Sequence, residues 1–184
     1  MKNTNDQLTT ALEHATRMPS DINEHLPLLS MLASQCIHVT EFGVRTGCST
    51  LAFLHGLRTK RATLRSYDIN DHFGVYATMR PHTTTDWVFT CGSTLEIPPI
   101  EPTDLLFVDT LHRYSQVQGE LELHGDSVRR WIAFHDTETF GTVGDDGRRG
   151  GINEAISEWM ADRPEWRVVY RTHRNNGLTV IERD

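Results

Sequence analysis

Four times along the chain a short apolar run ends in an acid: His38-Val39-Thr40-Glu41, Leu64-Arg65-Ser66-Tyr67-Asp68, Leu105-Leu106-Phe107-Val108-Asp109 and Ile132-Ala133-Phe134-His135-Asp136. Between these runs the apolar spacing changes to that of helices. Strand–helix alternation at this interval points to βαβ units, hence an α/β fold with a mostly parallel, doubly wound Rossmann-like sheet. The expected strands are Ile37–Phe42, Ala62–Tyr67, Trp87–Cys91, Asp104–Val108 and Trp131–His135. The expected helices are Ser49–Leu57, Asp71–Met79, Ser115–His124 and Gly151–Ala161. The end of the chain breaks the pattern. Arg167–Thr172 and Gly177–Glu182 flank Arg174-Asn175-Asn176-Gly177, whose Asn-Gly is a hairpin turn signal, so the sheet should close in an antiparallel pair.

Ahead of the alternating region, Leu8, Leu12 and Ala15 space a first helix over Asp6–Met18, which Pro19 stops. Ser20 or Asp21 can cap a second helix from Ile22 to about Cys36. With 184 residues and no linker-like stretch, the chain reads as one domain over 1–184, with N-terminal helices in 1–36 and an α/β core in 37–184. The net charge of −7 disfavours nucleic acid and anionic membranes as partners. No run approaches the ~20 apolar residues of a membrane span. Cys36, Cys48 and Cys91 form neither a CxxC pair nor an even framework, which suits free thiols and a cytoplasmic address. Oligomeric state stays open, a homo-oligomer included.

In a parallel sheet the four acids reach one carboxyl edge, where open α/β folds bind ligands. Such a cluster repels itself unless a cation, a proton or a hydroxyl-rich ligand satisfies it. After Glu41 the turn runs Phe42-Gly43-Val44-Arg45-Thr46-Gly47-Cys48-Ser49-Thr50. Gly43 and Gly47 permit a tight turn and close approach of a ligand, and Ser49 or Thr50 can cap the next helix. The G-x-x-x-G spacing does not match the dinucleotide fingerprint. Asp68, about 20 residues on, stands where nucleotide binders place an acid on ribose hydroxyls.

The segment E-F-G-V-R-T-G-C-S-T resembles motif I of class I S-adenosylmethionine-dependent methyltransferases, especially their small catechol O-methyltransferase-like and cephalosporin-hydroxylase-like branch. Y-D-I-N resembles the ribose acid of that family, and F-V-D-T-L-H-R-Y and A-F-H-D-T resemble its later motifs. The resemblance implies the class I methyltransferase fold with S-adenosylmethionine as cofactor. It places Glu41, Gly43 and Gly47 about the methionine moiety, Asp68 on the ribose, and Ile69, Gly92 and Ser93 by the adenine, with Ser49 and Asp109 also among the cofactor-binding residues. It further implies a divalent cation, Mg²⁺ in the relatives, held by Asp109 and Asp136. Those relatives carry an acid–amide pair where this chain has Asp136-Thr137, which leaves His135 as the candidate third ligand. His112 replaces their lysine and is the candidate general base, acting with Asp109. The expected activity is methyl transfer to a hydroxyl of a small phenolic or sugar acceptor. Two alternatives stand beside it: a metal-dependent hydrolase or oxygenase built on the Asp/His cluster, and a non-catalytic nucleoside-binding module. Gly141 to Gly151 is too glycine-rich for regular structure and reads as a loop, either solvated or a lid over substrate carrying Arg148 and Arg149.

Overall fold

A computed structural model describes residues 4–184. Seven strands form one sheet in the order β3-β2-β1-β4-β5-β7-β6. They are β1 (His38–Phe42), β2 (Thr63–Asp68), β3 (Asp86–Cys91), β4 (Thr103–Val108), β5 (Val128–His135), β6 (Trp166–Thr172) and β7 (Leu178–Arg183). The first five pair in parallel, and β7 runs antiparallel to both β5 and β6. The sheet is therefore doubly wound and ends in the expected hairpin, with Asn175, Asn176 and Gly177 all at positive φ in its turn.

The helices are α1 (Thr4–Arg17), α2 (Leu26–Ala33), α3 (Cys48–Leu57), α4 (Phe73–Met79), α5 (Tyr114–His124) and α6 (Ile152–Ala161). Because strand side chains alternate faces, the central strands feed two cores. Val39, Leu64, Leu105, Phe107 and Ala133 pack under α1, α2 and α3 with Leu29, Phe53 and Leu54. Phe42, Leu106, Val108, Ile132 and Phe134 pack under α5 and α6 with Leu121, Ile156 and Trp159. Each fully buried large side chain contributes roughly 1.5–3 kcal/mol of transfer free energy.

The second N-terminal helix starts later than its spacing suggests. Asn23–His25 form a 3₁₀ turn, and α2 begins at Leu26 with Pro27 in its first turn. A proline is tolerated there because the first N–H groups of a helix have no partner to lose, whereas inside a helix from Ile22 it would break a hydrogen bond. Neither Ser20 nor Asp21 caps that helix; the Asp21 carboxylate pairs instead with Arg45 at 2.7 Å. Among the described residues no helix is long and apolar enough to cross a membrane.

Candidate functional site

Strand register decides which acids reach the edge. Phe42 aligns with Tyr67 of β2 and Val108 of β4, so Asp68 and Asp109 stand level with Gly43. Glu41 aligns with Ser66 and Phe107, two positions deeper. Its side chain is fully buried. Three hydroxyls donate to its carboxyl: Ser49 at 2.6 Å, Thr50 at 2.9 and 2.8 Å, and Ser66 at 2.5 Å. Burial outweighs these bonds and pushes its pKa up to about 7. Ser49 and Thr50 thus serve Glu41 and do not cap α3, whose N-cap is Gly47 in the left-handed region. Glu41 and Ser49 lie beneath the ligand-binding edge, not on it, because the acid sits inside the strand and not in the turn after it.

Above this network opens a cleft of about 280 Å³, lined by Gly43, Arg45, Asp68, Ile69, Gly92, Ser93, Asp109, His112 and Gln116 among others. Gly43 has φ +91°, and a Cβ there would fall 1.9 Å from the Asp109 carbonyl oxygen. The close approach that needs a glycine is therefore made by the protein's own backbone, drawing the β1 and β4 turns together. Gly47 does not line the cleft; a Cβ there would meet Val75 at 2.5 Å and Met79 at 3.0 Å. Asp68 braces the first turn, accepting from the Val44 and Arg45 N–H groups at 2.8 and 3.1 Å and from Asn70 N–H at 2.9 Å. Ile69 is two-thirds exposed at the mouth.

At one end of the cleft Asp109, His112, His135 and Asp136 converge. His112 Nε2 lies 2.8 Å from Asp136 Oδ2 and 3.4 Å from Asp109 Oδ1. His135 Nδ1 lies 3.2 Å from each of the same two oxygens. Adjacent strand residues normally face opposite ways, but Asp136 adopts φ +58° just past β5 and swings back beside His135. His135 Nε2 is 3.0 Å from the Asp21 carbonyl oxygen, an acceptor, so that nitrogen carries the hydrogen and Nδ1 faces the carboxylates. Burial opposes charge on both rings, yet the bonds to Asp109 and Asp136 dominate, raising His112 to about 9 and His135 to about 10. Burial favours the neutral form of both acids, and the imidazoles override it and hold them below the usual carboxylate range. His112 stacks on Phe140 at 4.8 Å between ring centres.

The donor set fits a divalent cation. Asp136 Oδ1 is buried without a hydrogen-bond partner, and ligand atoms of Asp109, His112 and Asp136 lie within 4.8 Å of one another. The expected set named His135 in place of His112. The structure brings both rings to the carboxylates, His135 from the buried side and His112 from the cleft, with side-chain exposures of 1% and 26%.

Two features escaped the sequence reading. Glu120 of α5 is fully buried and accepts from Thr94, Gln116 and Thr110; burial outweighs these bonds and raises its pKa to about 7. The Gln116/Glu120 spacing of four on a helix face that also carries Val117 and Leu121 is the signal that could have exposed it. The glycine-rich segment is not irregular throughout: Val143 and Arg149 pair as an antiparallel bridge. Its tip is fastened to the site, with Asp145 N–H donating to the His112 carbonyl at 3.0 Å and Arg113 Nε to Asp145 at 2.5 Å. The Arg148 side chain is 86% exposed.

A family model described as a methyltransferase domain matches residues 40–137. No curated protein matches the chain. Among solved structures, an O-methyltransferase from Bacillus cereus in complex with SAH superposes with a TM-score of 0.65 at 15% identity, covering 100% of this chain and 92% of that one. The O-methyltransferase TomG from Streptomyces achromogenes, in complex with SAM, gives 0.61 at 17% identity, with 100% and 90% covered. The N-methyltransferase NodS from Bradyrhizobium japonicum, in complex with SAH, gives 0.65 at 15% identity, with 99% of each chain covered. At these identities the likeness shows a shared fold.

Proposed function

The chain belongs to the methyltransferase-domain family, and on that premise we propose that it carries the methyl group of S-adenosylmethionine to a hydroxyl oxygen of a small phenolic or sugar acceptor. The observation that carries this reading is the convergence of two carboxylates and two imidazoles at one end of the cleft. An amine acceptor reacts through a free lone pair, whereas a hydroxyl must lose a proton to become a good nucleophile. A site stocked with a base and a cation-binding pair suits the second case.

Asp109 and Asp136 would hold a divalent cation, Mg²⁺ being the natural hard ion for carboxylates. His135 Nδ1 would complete the set, its other nitrogen fixed by the Asp21 carbonyl in the way metal-bound histidines are oriented. A cation bound there would lower the acceptor hydroxyl's pKa and take up charge from the carboxylates. His112, on the cleft side and held by Asp136 and the Phe140 ring, would receive the acceptor's proton once that cation had relieved the carboxylate pull that otherwise keeps it protonated. Asp68, Ile69, Gly92 and Ser93 line the part of the cleft open to the nucleoside, and Gly43 lets the two central turns close around the sulfonium end.

Calorimetric titration with S-adenosylhomocysteine, with and without Mg²⁺, tests the reading. We expect micromolar binding, retained in His112→Ala, and methyl transfer to catechol or sugar hydroxyls that falls at least ~100-fold in that variant, the usual scale for removing a general base. Absence of binding under both conditions overturns the proposal.

A further inference from the structure

His25 is a buried histidine outside the cleft wall, only 3% exposed. Its Nε2 lies 3.0 Å from the Asn175 carbonyl oxygen, an acceptor, so that nitrogen carries the hydrogen and donates it. Its ring meets the His135 ring edge-on, with 5.6 Å between centres. One side chain thus touches both the β6–β7 turn and a histidine of the Asp/His cluster.

That turn is more elaborate than the end of a sheet requires. Two residues at positive φ can join antiparallel strands, whereas here Asn175, Asn176 and Gly177 all adopt it. For residues with a Cβ such a conformation persists only where its surroundings hold it. The turn is held on two sides. The Asn175 side chain accepts from Glu24 N–H at 3.1 Å and donates to the Ser20 carbonyl at 2.6 Å. The Asn176 carbonyl accepts from the Glu138 and Thr139 N–H groups at 2.9 and 3.1 Å. The two segments so joined flank the cluster: Asp21 gives its carbonyl to His135 Nε2, and Glu138 follows Asp136 by two residues. Arg45 also holds Asp21, but that ion pair is largely exposed and contributes little. The bonds to the turn therefore decide where the Asp21 carbonyl stands, and the one from His25 is the least exposed of them.

We propose, on the cation reading above, that His25 is a positioning residue for the cation site. Its bond to the Asn175 carbonyl locks the Ser20–His25 segment onto the β6–β7 turn, which keeps the Asp21 carbonyl on His135 Nε2 and Nδ1 turned toward Asp109 and Asp136. A ring free to rotate would present Nδ1 there only part of the time, and supporting bonds of this kind are worth roughly 10–100-fold in metal affinity.

The test uses the full chain and three variants. Mn²⁺ alone, a paramagnetic probe suited to carboxylate sites, is titrated and followed by electron paramagnetic resonance. In parallel, proton NMR of ¹⁵N-histidine-labelled protein follows the His135 Nε2–H, whose exchange the Asp21 carbonyl slows. His25→Ala and His25→Phe should each weaken Mn²⁺ binding by about tenfold or more and lose the Nε2–H signal to exchange; the phenylalanine keeps the edge contact and lacks only the donor. His25→Gln restores an N–H at the same reach and should recover both readouts. Melting curves identify a variant that fails to fold, and His25→Phe against His25→Gln decides the matter if His25→Ala does. Mn²⁺ affinity in His25→Phe equal to that of the unaltered protein, or a loss with the Nε2–H signal unchanged, overturns this assignment alone. Failure of the unaltered protein to bind Mn²⁺ overturns it together with the cation reading.

Discussion

Glu41→Gln tests whether the acid beneath the first turn is a buried structural group. In the native protein the carboxyl is surrounded by three hydroxyl donors and no cation, and burial holds its pKa at about 7 against an ordinary value of 4.5. The folded pKa is raised, so the folded state binds the proton more tightly than the unfolded chain. The associated stability is present in full below pH 4.5 and is lost as pH rises through 7. Integrating the linkage from pH 5 to pH 8 with these two values gives a loss of roughly 2 to 3 kcal/mol. The glutamine variant has no proton to lose, and its amide can still bond two hydroxyls while a third rotates. Urea unfolding of both proteins at pH 5 and pH 8 measures the difference. With a slope of ~2 kcal/mol/M, the midpoint of the unaltered protein should fall about 1 M further than that of the variant over this range. Equal pH dependence in the two proteins would refute the reasoning. Glu41→Leu is the severe control. It strands three buried hydroxyls at ~1–3 kcal/mol each, enough to unfold a domain of ordinary stability.

Two further substitutions probe how the site is assembled. Gly43→Ala sets a methyl group against the Asp109 carbonyl at 1.9 Å and strains a backbone at φ +91°. We expect at least ~2 kcal/mol of lost stability, a fall in Tm of several degrees, and loss of S-adenosylhomocysteine binding; unaltered binding would show that the two turns need not touch. Asn175→Ala removes the side chain that accepts from Glu24 N–H at 3.1 Å and donates to the Ser20 carbonyl at 2.6 Å. The Asp21 carbonyl that orients His135 belongs to the segment so tied, so hydrogen exchange across residues 20–25 should rise about tenfold and kcat should fall. Exchange that stays at the native rate would remove the hairpin from the site's support.

The fold was legible because strand length, acid position and helix spacing all favour one answer. Apolar runs of five or six residues alternating with helices permit little besides a parallel doubly wound sheet, and Asn-Gly fixed the final hairpin. Element edges were less legible where one residue's backbone chemistry intervened, as when Pro27 moved the start of α2 from Ile22 to Leu26. In the site, Asp68, Asp109, His112 and Asp136 could be found by aligning the ends of the apolar runs, and all line or adjoin one cleft. The same alignment misplaced Glu41, since only register reveals that it lies two positions below the level of Asp68 and Asp109. Glu120 and Gln116 were invisible to it, because they lie on a helix and matter through partners 22 and 26 residues away.

The pairing of His135 with Asp136 shows why strand periodicity alone fails at a site. Period two places neighbours on opposite faces, and by that rule only one of the two could meet Asp109. The chain escapes the rule by ending β5 at His135 and putting Asp136 in the left-handed region, at a cost of about 1–2 kcal/mol for a residue with a Cβ. Aspartate is among the few residues that tolerate this conformation. Glycine would adopt it with less strain but would bring no carboxylate. The strain is thus the consequence of needing two consecutive donors on one side of the sheet. The Asp136 carboxylate that it positions touches both imidazoles and keeps its other oxygen without a protein partner. A conformation that most residues with a Cβ would avoid is held where the chemistry of the cleft requires a charge.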